Sequence, residues 1–231
     1  MTADEAAADV PTATVPRREL AMARALDQAR SRAENRVQLF LDAARELMNS
    51  DSREFTVQDV VERSGQSLRT FYQYFAGKHE LLLALFEESI RDAATHLREV
   101  VDESDEPLDR LRRFSVEYFR MCRFVPERQP ATGPTPTIVE FAQQLLTSHQ
   151  REAAEAFAPL VVLLEELLAD AAAAGAIRAG LDHRQISGVV LQAIMFNAFS
   201  TAISGSSRQP DGDPAPDALW DLLLRGIGGP A

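Results

Sequence analysis

At 231 residues, 45% hydrophobic and 26% charged, the chain has the make-up of a soluble globular protein with room for one or two domains. A net charge of −11 excludes a general polyanion binder, and a single cysteine, Cys122, excludes an intrachain disulfide or a thiolate metal cage. No apolar run reaches the roughly 18 residues of a membrane span, and the opening MTADEAAADVPTATVP is acidic without a signal peptide's apolar centre, so a cytoplasmic location off the membrane is expected.

Residues 1–16 mix Ala, Thr, Pro and acids without a period and are expected to be disordered, and residues 1–30 as a whole to form a disordered or arm-like segment. Charge is uneven along the chain: residues 17–80 balance to +1, whereas residues 81–231 carry −9. Arg17, Arg18, Arg24, Arg30, Arg32 and Arg36 gather at the start of the near-neutral segment. A neutral head on an acidic body suits a protein that lays only its head on nucleic acid, with Arg32 and Arg36 as arm contacts.

From Ser31 the spacing predicts a helix with Val37, Phe40, Leu41, Ala44, Leu47 and Met48 on one face. Thr56, with Asp59 in the following turn, reads as the N-cap of a short helix that ends at Ser64-Gly65. Ser67 caps the next helix. On its wheel Leu68, Phe71 and Phe75 share an inner face, Arg69 and Gln73 point directly away, Thr70 lies nearly opposite, and Tyr72 and Tyr74 sit on the flanks. Gly77 breaks the chain again, and Leu81, Leu82, Leu85, Phe86, Ile90 and Ala94 continue a long helix to about Val101.

An amphipathic helix follows from Leu108 to Cys122, then a loop, PERQPATGPTP. Three helices are predicted at about 137–148, 150–174 and 183–204; the second is kinked or restarted at Pro159 and ended by Gly175, and the third is opened by Asp182 with Gln185. A second loop, SGSSRQPDGDPAP, precedes a closing helix at 218–226 that carries Trp220. No alternating strand pattern occurs, so the prediction is all-α: an N-terminal three-helix helix-turn-helix domain at 31–80 and a C-terminal helical bundle at 81–231, about nine or ten helices together.

Two short capped helices joined by a glycine turn, the second with a polar outer face, suit the DNA major groove. The groove admits one helix, which must be held from behind by apolar contacts while its front offers hydrogen-bonding side chains. Arg69 can donate to guanine O6 and N7, and Gln73 can pair with adenine. Tyr72 and Tyr74 place hydroxyls where phosphates would pass, and the helix N-termini at Thr56 and Gly77-Lys78 point N–H groups outward. Lys78 is the sole lysine of the chain.

The stretch FTVQDVVERSGQSLRTFYQYFAGKHELLLALF resembles the DNA-binding signature of the tetracycline-repressor (TetR) family of bacterial regulators. The shared pattern runs over about residues 31–90: a threonine-capped helix, a Gly-x-Ser turn, a Thr-aromatic-Tyr recognition helix, Phe, and a Gly-Lys start to the fourth helix. The resemblance implies phosphate contacts from Thr56, Tyr72, Tyr74 and Lys78, and base or phosphate contacts from Ser67, Arg69, Thr70 and Gln73. The chain departs from the family pattern at Gln66 in the turn, at Val60-Val61, and at His79, where Glu is common.

In the body, the helix at 183–204 is apolar nearly all round and that at 155–174 on more than one face, so each needs a second neighbour. A homodimer through these two helices supplies it, and dimerisation would set two recognition helices about one duplex turn apart to read a palindrome. Phe114, Tyr118, Met121, Cys122, Phe141, Leu145, Phe157 and Phe196 are candidates to line an apolar effector cavity, with Tyr118, Gln144 and Asn197 as its polar groups. The effector expected is small and apolar or amphipathic. Cys122 reads as a small buried hydrophobe rather than a redox sensor. The four histidines, at 79, 96, 149 and 183, show no helical ligand spacing, so neither a metal site nor a cofactor is expected.

The function these features predict is a sequence-specific transcriptional regulator, a repressor released from operator DNA by its ligand. Other readings are a DNA-binding dimer whose body senses a protein or nothing, and a helical enzyme on an apolar substrate. No nucleophile with its base and no paired carboxylates stand at telling spacing, so no enzymatic activity is expected.

Overall fold

The computed structural model describes residues 17–49, 55–122, 136–203 and 215–227. Among them are nine helices and no strand: α1 Arg17–Asn49, α2 Val57–Ser64, α3 Leu68–Tyr74, α4 Lys78–Val101, α5 Pro107–Cys122, α6 Pro136–Ser148, α7 Gln150–Ala173, α8 His183–Ile203 and α9 Ala215–Ile227. The expectation for residues 1–16, and most of both predicted loops, lie outside the described residues.

Beyond shifts of a few residues at helix ends, such as α9 starting at Ala215 rather than Ala218, two helices differ from the sequence reading. α1 begins at Arg17 rather than Ser31. Residues 17–30 are exposed throughout, Leu26 at 68%, so no buried face marks them in the pattern. Ala, Arg, Leu and Glu extend the helix by propensity, helped by Arg30 Nε donating to Glu34 Oε1 at 2.7 Å. α7 runs unbroken through Pro159, although the missing N–H leaves the Glu155 carbonyl without its intrahelical donor.

The first core unit is aromatic. Phe40 of α1 meets Phe71 of α3 edge-on at 5.3 Å between ring centroids and Phe75 at 6.2 Å. Phe40 and Phe71 are fully buried, and each such side chain stabilises by roughly 1.5–3 kcal/mol. α2 packs on α1 and α3, and the start of α4 packs on α1. α4 also packs on α5, α6 and α7, from His79 in its first turn onward, with α8 against α5 and α7 and α9 against α5. α4 is therefore the one helix shared by both parts. Leu97, Leu111, Phe119, Leu160 and Leu164 fill the second core.

Ion pairs set the register between helices rather than the stability: Arg63 of α2 with Glu46 of α1 at 3.2 Å, Arg45 of α1 with Glu88 of α4 at 2.5 Å, and Arg98 of α4 with Glu166 of α7 at 2.6 Å. Helix ends follow local chemistry. Gly65 at φ 66° and Gly175 at φ 71° adopt the left-handed conformation that stops α2 and α7. Asp182 accepts from the Gln185 N–H at 3.1 Å at the start of α8.

Candidate nucleic-acid interface and effector cavity

α3 is a short helix held at both ends and from behind. Ser67 Oγ accepts from the Thr70 N–H at 3.0 Å and lies 2.8 Å from Thr70 Oγ1. Before it, α2 carries a complete capping box: the Asp59 N–H donates to Thr56 Oγ at 3.3 Å, and the Thr56 N–H donates back to Asp59 Oδ2 at 2.6 Å. Thr56 Oγ also donates to Asp59 Oδ2 at 2.8 Å. The backbone and side-chain bonds from Thr56 hold the Asp59 carboxyl below the usual carboxylate range.

With its back buried, α3 presents Arg69, Tyr72 and Gln73 to solvent, and none of the three has a polar partner among the described residues. Tyr72 is 56% exposed, braced edge-on against Phe71 at 5.5 Å. Thr70 is half-buried and engaged with Ser67, and Tyr74 is half-buried against the core, so these two present only edges. Leu68 corrects the wheel: it is 42% exposed rather than inward. It stands one turn before Phe71, at the first position of the helix.

Two of the expected phosphate contacts are already committed to the protein. Lys78 Nζ donates to the Phe55 carbonyl at 2.5 Å and sits 4.3 Å over the Phe55 ring, tying the start of α4 to the start of α2. One of its three N–H donors is thereby used. The Thr56 hydroxyl gives its proton to Asp59, so what α2 offers an anion is its first backbone N–H groups, of Val57 and Gln58, which a helix cannot pair internally. Arg32 and Arg36 are exposed on α1, with Arg32 Nε donating to the Gln28 carbonyl at 3.2 Å.

In the body, residues of α5, α6, α7 and α8 line a partly open cavity of about 420 Å³, within the range of small-molecule sites. Of the expected lining residues, Tyr118 and Phe157 face it. Phe114, Phe141 and Leu145 are core, while Gln144, Phe196 and Asn197 are exposed on outer faces. Met121 and Cys122 pack half-buried at the core edge and do not line it. The volume comes instead from small residues, Ala154 and Ala158 of α7 facing Gly188 of α8, a stripe that a search for aromatics passes over. Its polar lining is Tyr118, Gln150, Glu165, Arg184 and Gln192, and Glu165 and Arg184 form no ion pair with each other among the described residues. Glu165 Oε1 is buried without a hydrogen-bond partner among the described residues, and its place inside the apolar run LVVLLEELL was the sequence signal for it. Burial raises the Tyr118 phenol well above its ordinary range and pushes the Cys122 thiol up to about 12.

The spacing rule for histidine ligands also misses one feature, because it considers one helix at a time. Packing of α4 on α6 and α7 brings the His79 and His149 rings to 4.7 Å, both beside Glu152.

Residues 40–85 match the family model for bacterial regulatory proteins of the tetR family. No curated protein matches the chain by sequence. Among solved structures, it is similar to a TetR-family transcriptional regulator from Pectobacterium atrosepticum, with a TM-score of 0.64 and 18% identity over 87% of this chain and 98% of that one. It is similar also to the transcriptional regulator FadR from Bacillus subtilis in complex with stearoyl-CoA, with a TM-score of 0.61 and 18% identity over 82% of this chain and 98% of that one. A third is RolR in complex with resorcinol, with a TM-score of 0.62 and 17% identity over 86% of this chain and 90% of that one. At such identities the likeness establishes a shared fold.

Proposed function

We propose that this chain, which belongs to the TetR family of DNA-binding transcriptional regulators, is a cytoplasmic repressor that binds operator DNA as a homodimer and is released by a small amphipathic effector. The observation that carries the reading is the outer face of α3, where Arg69 and Gln73 stand bare and unpaired above a fully buried Phe71. Arg69 and Gln73 read base edges; Tyr72, Tyr74, Lys78 and the N-termini of α2 and α4 steady the phosphates, with Arg32 and Arg36 as outlying contacts.

α8 exposes Val189 at 57% and Phe196 at 48%, two turns apart on one face, and a second copy covers them in the dimer. The effector occupies the cavity between α7 and α8 and offers a hydrogen-bond donor to Glu165. Stearoyl-CoA and resorcinol in the solved relatives are ligands with both apolar and polar parts, in keeping with that choice. Because α4 belongs to both packing units, a ligand that fits the body in one arrangement of α4 biases the spacing of two α3 helices. It does so by no more than its differential affinity for the two arrangements.

An electrophoretic mobility shift with the DNA flanking this protein's own gene, at stated salt, tests the reading. A sequence-selective band that dissolves on adding a hit from a thermal-shift metabolite screen is expected. A band equally strong on scrambled DNA contradicts it.

A further inference from the structure

We propose that His79, His149 and Glu152 form a binding site for one divalent transition-metal ion of the zinc type, at the seam between the α1–α3 unit and the body. His79 is the second residue of α4, His149 links α6 to α7, and Glu152 lies in the first turn of α7. His79 Nε2 is 2.6 Å from Glu152 Oε2, and His149 Nδ1 is 3.7 Å from Glu152 Oε1. One donor atom from each residue lies within 4.8 Å of the other two.

Two imidazoles and a carboxylate are a zinc donor set that leaves the fourth tetrahedral position to water. Zinc bonds of about 2.0–2.1 Å place tetrahedral donors about 3.3 Å apart. The 2.6 Å contact of His79 is to Glu152 Oε2 and the 3.7 Å contact of His149 is to Oε1, and one donor atom from each of the three residues lies within 4.8 Å of the others, so side-chain rotation has to draw the set in to that spacing for the ion to bind. The His79 and Glu152 side chains are 40% and 37% exposed, so an ion reaches them from solvent without opening the core. His79 Nε2 faces Glu152 Oε2, so a bound ion takes the place of the hydrogen bond between them, with Nε2 as the ligand atom. The ring of His79 is held by Phe141 at 5.3 Å, and α7 fixes Glu152, so the donors are presented by packed helices rather than by a loose surface.

A simple histidine–carboxylate pair does not account for the arrangement. The chain has such a pair in His96 and Glu117 at 3.0 Å, and there the carboxylate's second partner is Arg120, not another imidazole. At Glu152 two imidazoles crowd one carboxylate, a grouping that a dication stabilises and that protons on both rings would not. Borderline ions such as zinc suit this set, whereas magnesium, which prefers an all-oxygen shell, does not. A bound ion would pin the first turn of α4 to the first turn of α7. Binding itself is independent of the DNA-binding reading, and the test uses no DNA.

The full-length protein, stripped with chelator and dialysed, is titrated with zinc by calorimetry and with cobalt(II) by visible absorption. One ion per chain and the intense absorption of tetrahedral cobalt are expected. His79→Gln, His149→Gln and Glu152→Gln each weaken zinc binding by at least about tenfold, while His96→Gln and His183→Gln bind as the parent does. Melting curves of the metal-free variants matching the parent show that the fold is intact; a variant that fails this check is replaced by the corresponding Ala substitution. Equal zinc affinity in the parent and the His79→Gln/His149→Gln double variant overturns the site. So does magnesium matching zinc, or equal small losses from all four histidine variants, which mark adventitious surface binding.

Discussion

The outer face of α3 and Glu165 of α7 hold polar groups in opposite states. On α3, Arg69 and Gln73 are exposed and have no polar partner among the described residues, so their side chains stay solvated in the free protein. In the pocket, Glu165 Oε1 is buried with no hydrogen-bond partner among the described residues, an arrangement that costs free energy unless a donor reaches it. The difference separates binding from stability in the N-terminal unit and couples them in the body.

The sharpest break comes behind α3. Phe71→Ala leaves a hole against Phe40 and Phe75 and is expected to cost about 3–5 kcal/mol of unfolding free energy in a denaturant titration. Against a total of roughly 5–15 kcal/mol, operator binding should vanish with the packing. On the front face the same measurement should show almost nothing. Arg69→Ala is expected to keep the denaturation midpoint yet lose about 1–3 kcal/mol of discrimination between operator and scrambled duplex, read by fluorescence anisotropy. The body should respond in the reverse sense: Glu165→Met removes the unpaired oxygen and is expected to raise the stability of the ligand-free protein by on the order of 1 kcal/mol, while weakening the effector in a thermal-shift titration. If the variant instead destabilises the free protein, Glu165 has a partner in solution and the contrast fails. The smallest effect belongs to Tyr72→Phe, which is expected to weaken all duplexes alike and to lower the salt dependence of binding by at most about one phosphate contact.

The same contrast governs how much was legible in the chain. The short helices were readable because their signals are local: Thr56 with Asp59, Gly65 in the left-handed conformation, Ser67 with Thr70, and phenylalanines four residues apart. Leu68 escaped because a wheel treats the end of a helix like its middle, and residues 17–30 of α1 escaped because they form a helix that buries nothing. The cavity was readable only at Tyr118 and Phe157. Which faces of α7 and α8 meet is decided by packing across the body, and it was Ala154, Ala158 and Gly188 that left the space. His79 and His149 were invisible for the same reason, being neighbours only after α4 and α6 dock on α7.

The central claim is that the bare face of α3 reads sequence in a duplex. Anisotropy titration of the parent protein and of an Arg69→Ala/Gln73→Ala double variant, on the flanking-gene duplex and on a scrambled duplex at one salt concentration, tests it most directly. The account predicts that the parent prefers its site by about a thousandfold or more and that the double variant loses most of this preference while keeping its residual affinity for scrambled DNA. A double variant that retains the parent's full preference would contradict it.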